Sequence, residues 1–326
     1  MKQKIARLLK NIEKEHNIKI LFAIENGSRA WGMDSKDSDY DVRFVFYRPY
    51  SEYISLENLD DVITVAFDEN LKPCDVKGSL VDMCGFDIFK YLKLLASSNP
   101  TTIEWLHSPI VYLGKNNIEL KSYMQNNFSQ EKLFHHYFSV FKNNYKLYIV
   151  DGKKITYKKY LYSMRGLLNA KYVYEFDKIP PLKMVDTVNE LSTQLPKDVL
   201  TKLNEVIEIK SQGLEKETIL QIPLFDEFFN KELDKTYENF NKRKVDRKVF
   251  DYFLKKCLGI ETKERCIFIR AIKFTYKICN IVFMSICLTF VIMFILSLIS
   301  YYNDDCVEKC KVEGWTGVTD CNGACY

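Results

Sequence analysis

Apolar positions recur along this chain with two different periods, and the change from one to the other outlines its organisation. In KIARLLKNIEKEHNI, Ile5, Leu8, Leu9 and Ile12 are spaced three and four apart, the stripe of an amphipathic helix. A continuous apolar run, KILFAIENGS, then stops at Gly27-Ser28, and a second β-rich run, VRFVFYRP, is closed by Pro49. Both read as strands, joined by a polar, glycine-containing connection. VITVAFD and the stretch around SLVDMCGF extend the strand series, and DIFKYLKLLASSNP reads as a helix that Asp87 caps and that stops before Pro100. From about residue 118 the period is mostly helical, in FHHYFSVFKNNYKLYI, KKYLYSMRGLLNAKYVYEF and PLFDEFFNKELDKTYENF, with a break at Pro180-Pro181. Strands and helices come first and helices follow, the order of an α+β protein. No repeat, Gly/Ser linker or low-complexity block separates the halves, so they are expected to pack directly.

A third pattern is continuous rather than periodic. Residues 278–302, beginning KICNIVFMSICLTFVIMFILSL at Lys277, carry no charge until Asp304. About 20 apolar residues cross a bilayer core, so this run predicts a single transmembrane helix ending in the interface-seeking pair Tyr301-Tyr302. The preceding segment, 263–277, holds Lys263, Arg265, Arg270, Lys273 and Lys277 against Glu264, while Asp304-Asp305 follow the run. That asymmetry places the N-terminal part in the cytosol and residues 303–326 on the far side. A buried core helix is the competing reading, but long helices apolar on every face are uncommon in soluble domains.

Composition narrows the rest. At 326 residues, 47% hydrophobic and 14% aromatic, the chain has material for two well-filled domains and is not a disordered polymer. A net charge of +4 supplies no global field for a polyanion, so any such partner must be held locally. Six of the ten cysteines are scattered, whereas Cys306, Cys310, Cys321 and Cys325 form two pairs at four-residue spacing in the tail. Beyond a membrane they would meet an oxidising compartment, which favours disulfides, with Cys306–Cys325 and Cys310–Cys321 as the nested pairing of a helical hairpin. Zinc is the competing reading, although four-cysteine sites more often use closer pairs.

The residues that carry chemistry lie near the N-terminus. Gly27-Ser28 ends one strand, and Asp39-Tyr40-Asp41 enters the next. Residues two apart on a strand share a face, so Asp39 and Asp41 would present two carboxylates to one point, with Tyr40 turned away. Asp82, flanked by apolar residues in Leu-Val-Asp-Met-Cys, is the best third carboxylate on a neighbouring strand. Such a triad suits two Mg2+ ions that bridge the phosphates of a nucleoside triphosphate and activate an attacking hydroxyl. Gly27 would allow close backbone approach to the phosphates, and Ser28 would donate hydrogen bonds to them. An ordinary surface turn is the bland alternative, since Gly-Ser and Asp-rich turns are common loop chemistry.

Several motifs in order give these residues a wider context. Glu25-Asn-Gly-Ser-Arg-Ala-Trp-Gly32, Asp37-Ser-Asp-Tyr-Asp-Val-Arg-Phe44, Gly85-Phe-Asp87, Ser98-Asn-Pro and Glu104-Trp-Leu-His-Ser-Pro-Ile-Val-Tyr112 resemble the nucleotidyltransferases of the DNA polymerase beta superfamily linked to RNA repair. The resemblance spans about residues 15–175 and fades into Tyr160-Leu-Tyr-Ser-Met-Arg165. It implies a mixed β-sheet with helices, and the change of period near residue 118 divides the chain into a catalytic domain over residues 1–117 and a helical domain over 118–262. By residue, it implies Gly27 and Ser28 as the triphosphate loop, Asp39 and Asp41 as metal ligands and Asp82 as the third. Asp87 is an alternative third ligand, with helix N-capping as its other role. Arg29 and Arg43 would contact phosphate or brace the carboxylates. Arg165 would reach a phosphate across the cleft or sit in a structural ion pair. Trp105 and His107 read as packing residues.

The expected activity is therefore Mg2+-dependent transfer of a nucleotidyl group from a nucleoside triphosphate, with an RNA end as acceptor, by an enzyme tied to a lipid bilayer through residues 278–302. The alternative is a catalytically silent membrane adaptor that only binds nucleotide or RNA. Asp39 and Asp41 together with Gly27-Ser28 favour the enzyme, because a silent domain has no chemical need for that combination.

Overall fold

A computed structural model describes residues 1–35, 38–56, 58–115, 118–214 and 217–260. Residues 1–261 form one compact unit. The apolar run 278–302 and the four tail cysteines thus lie outside the described residues; among those described, no helix is long and apolar enough to cross a membrane.

The chain opens with helix α1 (Lys2–Glu15), whose stripe of Ile5, Leu9 and Ile12 is buried as its spacing predicts. Strand β1 (Lys19–Asn26) follows, then a single helical turn, α2 (Gly27–Ala30), where the pattern suggested only a loop. Next come β2 (Tyr40–Tyr47), the short α3 (Tyr50–Tyr53), β3 (Val62–Phe67), β4 (Pro73–Cys74) and β5 (Val81–Asp87). Helix α4 (Ile88–Ala96) starts on Asp87, whose Oδ1 accepts the Phe89 amide at 2.9 Å. Helix α5 (Pro100–His107) starts on Asn99 with Pro100 in its first turn, so this proline ends one helix and begins the next. Strand β6 (Val111–Gly114) completes a six-stranded sheet of order β4-β3-β5-β2-β1-β6. Only β2 and β5 run parallel; the other neighbours are antiparallel, so the sheet is mixed.

The remainder is helical: α6 (Ile118–Asn126), α7 (Gln130–Tyr145) continued by a π-turn (Lys146–Val150), α8 (Tyr157–Phe176), α9 (Met184–Leu191), α10 (Lys197–Ser211), α11 (Pro223–Leu233) and α12 (Arg247–Cys257). Helix α8 is central to this half. It is buried from Ser163 to Val173 almost without interruption, and a Cβ at Gly166 would come within 2.9 Å of the Phe141 amide nitrogen, so α7 and α8 touch backbone to backbone.

Three apolar clusters fill the unit. Ile5, Leu9 and Ile12 of α1 pack with Val42, Phe44 and Met83 on one face of the sheet. On the other face, Ile24, Tyr91 and Trp105 share a cluster with Phe134, Val173 and Phe250 from α7, α8 and α12. A third cluster, around Phe141, Leu167 and Phe229, belongs to the helices and takes in Met33 from the sheet half. Trp105 and His107 are packing residues in this structure: Trp105 is buried beside Phe86 and Tyr91, and the His107 ring nitrogen Nδ1 lies 2.8 Å from the Ile103 carbonyl.

Candidate active site

The pairing of β1, β2 and β5 brings the N-terminal motifs to one point. Asn26 lies opposite Asp41 on β1 and β2, and Asp41 lies opposite Asp82 on β2 and β5. Parallel neighbours in register present the same face, so the two carboxylates stand side by side. Asp39 immediately precedes β2 and is close enough that its charge, with that of Asp82, acts on Asp41. Asp41 and Asp82 are thus brought together across β2 and β5, while Asp39 lies before the strand, where alternation does not fix its side.

Gly27 belongs to the same construction. Its φ of +64° is a left-handed conformation that side-chain-bearing residues rarely adopt, and an added Cβ would lie 1.9 Å from the Asp41 Oδ2. The Asp41 carboxylate thus rests directly on the Gly27 backbone. Ser28 is half-buried in the α2 turn, its carbonyl accepting from the Met33 amide at 2.9 Å.

Both arginines of the motif act as braces. Arg43 donates from Nη2 to Asp41 Oδ1 at 3.2 Å and Asp82 Oδ2 at 2.9 Å, and from Nη1 to the Val42 and Asp82 carbonyls at 3.0 and 3.1 Å. Arg29 donates to the Ser38 and Asp39 carbonyls at 2.5 and 3.1 Å and lies over the Tyr40 ring, which fixes the approach to β2. Burial pushes the Asp41 carboxyl above its ordinary value; Arg43 opposes the shift, Asp82 and Asp39 add to it, and Lys158 from the first turn of α8 opposes it again. A carboxylate crowded by two others and relieved by two cations is a place where positive charge is wanted. Among the described residues no group of three or more His, Cys, Asp and Glu stands in metal-ligating geometry, and the Arg43 guanidinium bonds both Asp41 and Asp82. The hard oxygen donors and their mutual repulsion nevertheless fit a divalent cation.

Asp87 is placed elsewhere. It pairs with Phe46 five residues beyond the Asp41–Asp82 pair, about 16 Å away along the strand. There it caps α4, accepts from Arg48 at 3.1 Å and from the Tyr53 hydroxyl at 2.7 Å, and is buried. Its geometry is that of a structural cap and not of a third ligand.

Arg165 does not extend toward the carboxylates either. Its Nη2 lies 2.9 Å from Glu104 Oε1, and its guanidinium stacks 3.9 Å from the centre of the Trp31 ring. Glu104 also accepts from the Trp31 indole at 3.1 Å and the Tyr137 hydroxyl at 2.9 Å. Asn26 and Trp31, which flank the Gly27 turn, line a cavity of about 200 Å³ with Glu104, Asn144, Tyr162 and Arg165. The Arg165 Nε, buried, has no hydrogen-bond partner among the described residues.

Sequence reasoning missed Glu25, which is fully buried beneath the site. Its Oε1 accepts the Asp41 amide at 2.7 Å, its Oε2 accepts the Tyr112 hydroxyl, and the Ser108 hydroxyl donates to its carbonyl at 2.6 Å. Burial raises its pKa to about 7, against the lowering effect of Tyr112 and the Asp41 amide. The signal that singles out Asp82, an acid amid apolar neighbours, applies equally to Glu25 in KILFAIENGS. Lys158, whose charge acts on Asp41, was also missed, because nothing local to α8 relates it to β2.

A glycine turn at the end of one strand, with carboxylates converging beside it on the next two, is the framework of a nucleotidyl-transferring site, and comparison with known proteins agrees. The chain belongs to RlaP, the RNA repair pathway DNA polymerase beta family, which matches residues 1–256. It is thus a nucleotidyltransferase of the DNA polymerase beta superfamily. It is 32% identical over 250 residues to the uncharacterized protein YcgL of Bacillus subtilis (strain 168), covering 76% of this chain and 91% of that one. A nucleotidyltransferase-like protein from Exiguobacterium sibiricum 255-15 is similar at 14% identity over 78% of this chain and 92% of that one; its TM-score of 0.25 is too low to bear on the fold.

Proposed function

We propose that the chain transfers a nucleotidyl group from a nucleoside triphosphate to an RNA end, with Asp39, Asp41 and Asp82 as the carboxylates of a Mg2+ site. The observation that supports this most is the Asp41 carboxylate resting on the Gly27 backbone beside Asp82, because it puts a backbone surface open to phosphate next to clustered anionic oxygens. Asp39, Asp41 and Asp82 would hold the magnesium, which when bound supplies charge on the phosphates and lowers the pKa of the attacking hydroxyl. The chain's own residues do the positioning. Gly27 and Ser28 offer the amide and hydroxyl donors for the triphosphate, and Glu25 holds the Asp41 backbone in place through its amide. Arg29 fixes the segment carrying Asp39, while Arg43 and Lys158 offset the carboxylate charge.

The RNA acceptor follows the family's description. Attachment to a bilayer, with residues 1–277 cytosolic, is part of the same proposal and rests on the uncharged run 278–302 and its basic flank. Incubation with labelled nucleoside triphosphates, Mg2+ and a mixture of RNA acceptors tests the reading. Label should enter RNA with the wild-type protein and fall by orders of magnitude with Asp39→Asn or Asp41→Asn. Nucleotide binding without transfer in the wild type would favour the silent adaptor, and full turnover in Asp41→Asn would reject the carboxylate assignment.

A further inference from the structure

The positive charge that the chain lacks globally is concentrated at one turn. Between residues 142 and 159 stand Lys142, Lys146, Lys153, Lys154, Lys158 and Lys159, with Asp151 as the sole acid, a local excess greater than the net +4 of the whole chain. This segment is the end of α7, the π-turn and the start of α8. Lys142, Lys146, Lys153 and Lys154 are exposed, and among the described residues none of the six lies within ion-pair distance of a carboxylate. Lysines clustered without counter-charges repel one another, and a surface that merely needed solubility would intersperse acids among them.

The turn is built, not slack. A Cβ on Gly152 would fall 2.1 Å from the Tyr148 carbonyl oxygen, so the chain doubles back tightly there, and the backbone contact between α7 and α8 at Gly166 holds the two stems together. It also leads into the acidic site. Asn144, two residues before the π-turn, lines the cavity beside Trp31 and Asn26. Between the lysines, Leu147, Tyr148 and Val150 are exposed, with the Lys159 ammonium 5.4 Å from the centre of the Tyr148 ring.

We infer that this turn is the binding surface for a single-stranded RNA acceptor, its lysines on the phosphates and its exposed apolar and aromatic side chains against unstacked bases. Charge complementarity selects a polyanion, continuity through Asn144 with the cavity beside Asn26 and Trp31 selects one that is a substrate, and apolar groups amid the lysines select a strand whose bases are not already paired. Lysine, a point charge without arginine's planar fork, gives grip without sequence preference. The inference rests on the nucleotidyl-transfer reading of the acidic site, but its test reads binding alone: lost RNA binding in a protein that proves unable to transfer nucleotides would count against that reading only.

The experiment is fluorescence anisotropy of a labelled single-stranded RNA with the full chain in detergent, titrated from about 50 to about 200 mM KCl. Single strands lose affinity with a logarithmic slope of about −0.7 per neutralised phosphate. The triple variant Lys146→Ala/Lys153→Ala/Lys154→Ala should bind at least about tenfold more weakly at low salt, with a slope shallower by about 2. A control triple on the exposed face of α1, Lys2→Ala/Lys4→Ala/Lys14→Ala, removes the same charge and should bind as the wild type does. Wild-type affinity and slope in the turn variant would overturn the inference. So would equal losses in the two triples, which would mean diffuse charge, or equal affinity for the same RNA in duplex form.

Discussion

Replacing Glu25 with Gln should remove a pH dependence from the stability of the compact unit. In the folded protein the Glu25 carboxyl has a pKa of about 7, against 4.5 for the free group, because it is fully buried beneath β2. The native state therefore holds the proton more tightly than the unfolded chain. Between about pH 4.5 and 7 it binds more protons than the unfolded state, so this group's contribution falls as pH rises through that window. The loss is complete above the folded value. At 1.36 kcal/mol per unit, the difference amounts to about 3 kcal/mol. Gln keeps the acceptor for the Asp41 amide and can still meet the Tyr112 hydroxyl, but it never ionises. Urea unfolding of residues 1–261, followed by tryptophan fluorescence, should show the variant gaining on the wild type by about 2.5 kcal/mol between about pH 5 and about pH 8. Asp41 titrates in the same direction, yet it is present in both proteins and the difference curve isolates Glu25. Two parallel stability curves across that range would refute the argument.

Other outcomes follow from the same geometry. Gly27→Ala should lower nucleotidyl transfer by about 100-fold, the scale of a misplaced reacting group, because the new methyl displaces the Asp41 carboxylate; the left-handed backbone adds a cost of about 1–2 kcal/mol, and unchanged turnover would show that Asp41 need not rest there. Asp87→Ala should cost about 3 kcal/mol of stability by stranding Arg48, with transfer per folded molecule retained, while Asp82→Asn should do the reverse; loss of transfer on Asp87→Asn with Asp82→Asn active would move the third ligand. Full-length protein should resist carbonate extraction from membranes while residues 1–262 stay soluble, and a full-length chain that washed off would remove the proposed span.

The parts legible in the sequence were those carried by local pattern. The β-rich run through Asp41 and the apolar flanks of Asp82 announced two neighbouring strand carboxylates, and Asp87 ahead of an apolar helical stripe announced its cap, whereas Asp39 falls just before β2, outside the alternation expected of it. What stayed hidden depends on residues far apart along the chain. Glu25 finds Tyr112 at a separation of 87 residues, and Trp31 finds Glu104 at 73, distances over which no period or spacing speaks. Lys158 belongs to the site only because α8 packs where it does. Arg165 was expected at a phosphate or in an ion pair, and the structure shows it paired with Glu104 and stacked on Trp31, partners that arrive from other elements.

The apolar cluster joining Ile24 and Trp105 to Phe134, Val173 and Phe250 has a consequence for how substrates are chosen. A hinge between the sheet and the helices would have to tear these aromatic side chains apart and wet them, at about 1.5–3 kcal/mol for each large apolar group exposed. Rotation of one half against the other would therefore expose several such groups at once. A core shared by both halves favours discrimination by the fit of an incoming ligand over discrimination by closure.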